Sequence, residues 1–132
     1  MDLTKKRIFL VEDNIGTQII TKTLLESHGA VVATHTTGQD ILPSLLRFIP
    51  VDLIILDLML PNGMTGFDVF SAIRSHPEFD SVPIITMSVI DRAEAVPQAK
   101  QRGFSGFISK PVDFQSFPEV HFRLLRHIFG TV

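Results

Sequence analysis

The sequence predicts an α/β fold, a doubly wound sheet of five parallel strands with helices on both faces. Short β-branched apolar runs recur along the chain between longer segments of helical character, and no internal repeat or Ser/Gly-rich linker separates them. Two of the runs, DLIILD (52–57) and VPIITMS (82–88), are apolar on consecutive residues, the pattern of strands covered on both faces of a parallel sheet. Right-handed crossovers between such strands wind the helices onto both sides.

Taken in order, strands are expected at RIFLVE (7–12), VVATH (31–35), DLIILD (52–57), VPIITMS (82–88) and SGFISK (105–110), with helices between and after them. Asn14 is placed to cap the first helix, where Ile19, Ile20 and Leu24 recur near helical spacing and Gly29 follows the end. Gly38, Gly66 and Gly103 punctuate other helix ends. Pro97 falls where the fourth helix belongs and predicts a short, late-starting or kinked helix, because an interior proline removes a hydrogen bond. Pro118 is easier to place: with Ser116 as cap it sits in the first turn of the last helix, and Ser116 to Glu119 spells a capping box.

At 132 residues and 45% hydrophobic, the chain is expected to form a single domain over 1–132, with its core at about 7–129. A charged share of 20% and a net charge of -2 argue against disorder and against direct contact with nucleic acid. No cysteine is present, which excludes disulfides and thiolate metal sites and suits a reducing, cytoplasmic setting. The apolar stretch Ile8–Val11 is too short for a signal peptide, and no segment is long enough for insertion into a membrane.

Ligands of such a sheet collect at the carboxyl ends of its strands. Here those ends carry Glu12 and Asp13, Asp57, Ser88 and Lys110. One polar strand end marks only an exit into solvent; this set at one edge is a candidate site. Three carboxylates brought close repel one another unless a cation neutralises them, and hard oxygen donors with room for water suit Mg²⁺, with Mn²⁺ as a substitute. Lys110 adds a fixed positive charge and Ser88 a hydroxyl, which together with the metal can hold the oxygens of a transferring phosphoryl group. Asp57 then has a role as nucleophile, forming an acyl phosphate.

The segments VEDN (11–14), DLMLP (57–61), PIITMS (83–88) and GFSGFISKP (103–111) resemble the receiver domain of bacterial two-component response regulators, in that order and over essentially the whole chain. The resemblance implies the (βα)5 flavodoxin-like receiver topology. It implies Asp57 as phosphoacceptor, Asp13 as direct Mg²⁺ ligand with Glu12 acting through water, and the backbone carbonyl of Met59 as a further ligand. It also implies Ser88 as switch hydroxyl, Phe107 as switch aromatic turning inward on phosphorylation, Lys110 as phosphate-binding lysine, and a cis bond at Lys110-Pro111. The partners implied are a sensor histidine kinase or histidine phosphotransfer domain and a downstream protein reached through the face of the fourth helix, fifth strand and fifth helix. A phosphorylation-dependent homodimer is implied too. The chain would catalyse its own phosphorylation and dephosphorylation and no other reaction. After the fifth strand only one helix is expected, so output runs through protein contacts.

The chain also departs from the pattern. PNGM (61–64) is one residue longer than the usual spacing, and Val89 stands where alanine is usual. A haloacid-dehalogenase-type phosphotransferase would carry a second acid two residues after the nucleophile, where this chain has Met59. A dinucleotide-binding module would carry a Gly-rich loop where VEDNIGTQ has one glycine and two acids. A phosphorylation-silent scaffold is disfavoured by the intact acid, hydroxyl and lysine set. The histidines at 28, 35, 76, 121 and 127 include no i, i+4 helical pair and are read as solvated or core-edge residues. The phenylalanines between Phe104 and Phe129 are read as packing the fifth strand and fifth helix.

Overall fold

A computed structural model describes residues 1–60, 63–89, 92–110, 112 and 117–130. Strands β1 (Arg7–Val11), β2 (Val31–His35), β3 (Leu53–Asp57), β4 (Ile84–Ser88) and β5 (Gly106–Ser109) alternate with helices α1 (Ile15–Ser27), α2 (Ile41–Leu46), α3 (Gly66–Arg74), α4 (Arg92–Gln101) and α5 (Phe117–Phe129). The strands form one parallel sheet in the order β2-β1-β3-β4-β5. The chain steps outward from β1 to β2 and then returns to the other side of β1 as β3. The point where strand order reverses therefore lies between the ends of β1 and β3, where such sheets open a crevice.

The pleat explains the burial. Ile8 and Leu10 of β1 point to one face and join Leu24 and Leu25 of α1 and Phe117 and Leu125 of α5. Phe9 and Val11 point to the other, with Ile41 and Leu45 of α2, Val69 and Ile73 of α3 and Ala99 of α4. All residues of β3 and of β4 are buried, as their unbroken apolar runs predict. Each such aliphatic side chain removed from water contributes about 1.5–3 kcal/mol before conformational entropy is counted.

Asn14 caps α1 as expected: its side-chain oxygen accepts from the Thr17 N–H at 2.9 Å. The inward stripe differs from the one the spacing of isoleucines suggests. Leu24 is buried, but Ile19 is 57% and Ile20 42% exposed, and Thr21 and Leu25 take the inner positions. Thr21 tolerates burial because its hydroxyl donates to the Thr17 carbonyl at 2.7 Å. Helix α4 carries Pro97 as its sixth residue and runs for ten residues, against nine in α3 and thirteen in α5, so the proline does not end it. Pro118 is the second residue of α5, in its first turn; Ser116, the expected cap, lies outside the described residues.

The phenylalanines divide between the two faces. Phe117 packs under α5, whereas Phe104 lies against Phe70 and Phe67 of α3, with ring centroids 4.5 and 5.9 Å away. The chain turns at Gly103 before β5 begins, and this puts Phe104 on the α3 side of the sheet. Of the histidines, His121 is neither solvated nor at the core edge: it is 4% exposed and packs against Phe117 with the rings tilted at 58°.

Candidate acidic phosphoacceptor site

The site is assembled by strand ends. Glu12 and Asp13 follow β1, Asp57 ends β3, Ser88 ends β4, and Lys110 follows β5. Parallel register brings them to one edge: Val11 stands beside Leu56, Asp57 beside Met87, and Ser88 beside Ser109. One carboxylate oxygen from each of Glu12, Asp13 and Asp57 lies within 4.8 Å of the others. Asp13 is exposed, while Glu12 and Asp57 are 0% and 1% exposed, so the cluster opens to solvent on the Asp13 side.

Lys110 reaches across the sheet to close the cluster. Its Nζ donates to Asp57 Oδ2 at 3.0 Å and to Glu12 Oε1 at 3.2 Å. The same nitrogen is 2.9 Å from Glu12 Oε2, close enough for an ion pair but without the direction of a hydrogen bond, so this buried oxygen keeps an unfilled acceptor. Burial pulls the ammonium toward neutrality, but its hydrogen bonds to Glu12 and Asp57 and their charges outweigh burial and hold the Lys110 pKa above the ordinary lysine value. The remaining Asp57 oxygen, Oδ1, accepts from the Met59 N–H at 3.0 Å.

Burial pushes the Glu12 carboxyl up to about 7, with the nearby Asp57 charge adding to the rise and Lys110 opposing it. An orphaned buried carboxylate oxygen, an exposed aspartate and a third carboxylate make a hard-oxygen donor set that fits a divalent cation. The residues that could hold it are Glu12, Asp13 and Asp57. Among the described residues the candidate cluster contains no histidine. Since Glu12 sheds its proton only near pH 7, cation binding competes with that proton. Affinity for Mg²⁺ is expected to fall about tenfold from pH 8 to pH 6 in the wild type and to be nearly flat over that range in Glu12→Gln, as titration calorimetry at each pH measures.

The carboxyl edge also carries two residues that the sequence alone did not bring into the site. The Asn14 N–H donates to Glu12 Oε1 at 3.1 Å, so the residue that caps α1 also orients an acid. Gly66 opens α3 directly against the end of β3: a Cβ there would lie 2.6 Å from the Asp57 carbonyl oxygen and 2.9 Å from Leu58 Cα. Its N–H donates to the Leu58 carbonyl at 3.0 Å, and Met59 pairs with Thr65 across the loop. The chain is thus held at Met59 and again at Thr65 and Gly66, and Gly63 turns at φ 73°. A glycine at the first position of the helix after an acid-terminated strand was the available signal.

Ser88 is 1% exposed at the end of β4, and its carbonyl accepts from the Lys110 N–H at 2.9 Å. Phe107, on β5, is buried, at 3% exposed. Pro111, and with it the expected cis bond, lies outside the described residues.

A sequence model of the response regulator receiver domain matches residues 8–120. The chain belongs to the response regulator receiver family. As a receiver of two-component signal transduction, it is 37% identical over 105 residues to the luminescence regulatory protein LuxO of Vibrio campbellii, covering 79% of this chain and 22% of that one. It is 30% identical over 111 residues to an uncharacterized 14.6 kDa protein from the sodA1 3' region of Leptolyngbya boryana, covering 84% of this chain and 83% of that protein. Among solved structures, the chemotaxis response regulator CheY4 of Vibrio cholerae superposes with a TM-score of 0.79 at 25% identity, over 96% of this receiver and all of that chain. The non-phosphorylated HemR receiver domain of Leptospira biflexa superposes with a TM-score of 0.75 at 28% identity, over 97% of each chain. Among the described residues, no helix of the receiver is long and apolar enough to cross a membrane.

Proposed function

We propose that the receiver accepts a phosphoryl group on Asp57 from a protein phosphohistidine in a Mg²⁺-dependent reaction and passes the change to a protein partner. The observation that supports this most is the bridge from Lys110 to both Asp57 and Glu12 in a buried acidic cluster open on the Asp13 side. A bound Mg²⁺ would supply charge neutralisation for the entering phosphoryl oxygens. Met59 N–H and Lys110 hold the Asp57 carboxylate in place, so little reorganisation precedes attack. An Asp57 oxygen forms the new bond to phosphorus as the phosphorus–nitrogen bond of the donor breaks, and the electron pair returns to the imidazole, which is then protonated. Lys110 shifts from the carboxylate to a phosphoryl oxygen, and Ser88 offers its hydroxyl to another. The receiver does no other chemistry on this reading and sits in the cytoplasm.

The rim favours a protein donor. Ile15, Met59 and Val89, which follow the ends of β1, β3 and β4, are 55%, 66% and 75% exposed, giving an acidic centre with apolar residues at its margin. Such a margin suits a sensor kinase or phosphotransfer domain presenting its histidine. The test is incubation with Mg²⁺ and acetyl phosphate: intact-mass measurement is expected to show one phosphoryl adduct, and its absence, or its persistence in excess chelator, would overturn the reading.

The exposed Val89 also bears on lifetime. On this reading its β-branched side chain, next in the chain after Ser88, crowds the approach of the hydrolytic water, where alanine would leave room. Val89→Ala is expected to shorten the life of the phosphorylated receiver several-fold without altering Mg²⁺ affinity, as decay of the adduct after donor removal would show.

A further inference from the structure

The last carbonyl at the β1 edge is held by a side chain. The ladder between β1 and β2 finishes with the Glu12 N–H donating to the His35 carbonyl at 3.0 Å, and β2 itself ends at His35. In a continuing parallel pair the Glu12 carbonyl would next accept from β2. It accepts instead from Gln18 Nε2, at 3.2 Å. A carbonyl has no proton to give, so only the amide nitrogen of Gln18 can make this bond. Gln18 stands one helical turn after the Asn14 cap, with its own N–H on the Asn14 carbonyl at 2.9 Å, so α1 carries the donor back to the strand end.

The three acids differ in how they are held. The Glu12 carboxylate is tied by Lys110 and by the Asn14 N–H, and that of Asp57 by Lys110 and by the Met59 N–H. Among the described residues, the exposed Asp13 carboxylate has no hydrogen-bond or ion-pair partner. Its place is therefore set by the backbone on either side. The peptide before Asp13 is anchored at its carbonyl by Gln18, and the peptide after it at its N–H by Glu12 Oε1. We propose that Gln18 is a positioning residue of the acidic site: by fixing the Glu12–Asp13 peptide it aims the Asp13 carboxylate at the oxygens of Glu12 and Asp57, and so sets affinity and selectivity for the divalent cation. The proposal rests on the reading of these acids as Mg²⁺ ligands. Mg²⁺ demands near-ideal octahedral geometry whereas Ca²⁺ takes a flexible one, so a misplaced aspartate costs Mg²⁺ more. Removing a group that orients a metal ligand from behind typically weakens binding about 10–100-fold.

The test is calorimetric titration of the full chain at pH 8 with MgCl₂ and, separately, with CaCl₂. Gln18→Met keeps the length of the side chain and removes its donor. It is expected to weaken Mg²⁺ about tenfold and Ca²⁺ less than about threefold. Gln18→Asn keeps the amide but is one methylene short of the carbonyl, and follows the same pattern. Thr23→Met, exposed on the same helix, changes neither affinity. In chelator, the Asp13 amide signal moves in both Gln18 variants and stays in Thr23→Met. A role confined to stability would instead lower the melting temperature and weaken the two cations equally or not at all. Unchanged Mg²⁺ affinity in Gln18→Met, or in Gln18→Asn should the first variant not fold, overturns the proposal. So does an equal loss for both cations, or an Asp13 amide that stays in place. The two readings fail separately. If the wild type binds no Mg²⁺, the acids are not its ligands and the proposal falls with that reading. If the wild type binds Mg²⁺ and takes the adduct while the Gln18 variants bind the cation equally well, the acceptor stands and only the role given to Gln18 is wrong.

Discussion

Asp57→Asn leaves the folded receiver without a phosphoryl adduct after incubation with Mg²⁺ and acetyl phosphate, a loss to below detection and not a slowing. The reason lies in what the amide keeps and gives up. Its oxygen still accepts from the Met59 N–H, which is 3.0 Å from Oδ1 in the native chain, so the strand end holds its shape. It gives up the charge that attracts the cation and the nucleophilic oxygen that forms the acyl phosphate. A second consequence is expected at Glu12, whose pKa stands at about 7 in part because the Asp57 charge faces it. Removing that charge lowers it. The Glu12 carboxyl proton, followed by NMR in chelator, should titrate at lower pH in Asp57→Asn than in the wild type. An adduct that persists in the variant would place the acceptor elsewhere.

Lys110→Met slows phosphoryl incorporation by about a hundredfold to a thousandfold at saturating Mg²⁺, the range measured when one preorganised donor to a developing charge is removed. Methionine keeps the apolar stem and drops the ammonium that contacts Asp57 Oδ2 and both Glu12 oxygens. Adduct formation is therefore reduced and not abolished, which separates this residue from the acceptor. Stability responds as well, and its sign follows from the acids. Glu12 is harder to ionise in the fold than in the unfolded chain, so its favourable contribution is fully present below its ordinary pKa of 4.5 and is lost as pH rises through about 7. Without the lysine the loss grows. The variant should melt below the wild type at pH 8, approach it at pH 5, and recover at pH 8 on adding Mg²⁺. Equal melting temperatures at pH 8 in chelator, or an unchanged rate of incorporation, would remove Lys110 from the role given to it.

Much of this site is legible in the sequence because parallel strands turn chain order into place. An apolar run that ends in an acid, as LIILD does, puts that acid at a carboxyl edge, and the ends of the neighbouring runs share the edge. What the sequence misplaced depends on helix phase and on packing across layers. The isoleucines of α1 suggested one inward stripe, and Thr21 with its hydroxyl turned to the Thr17 carbonyl took the inner place instead. Phe104 precedes β5 by two residues, and only the turn into that strand decides that its ring packs against Phe70 of α3.

The sequence by itself determined the number of layers, the strand runs and the identity of the acids, hydroxyl and lysine, since each follows from local composition and period. Tertiary structure alone decided that Lys110 pairs with Glu12, 98 positions away, and with Asp57, 53 positions away. It also decided that Glu12 is sealed from water with one oxygen unfilled. Burial and charge–charge coupling act through space, and no spacing along the chain carries them.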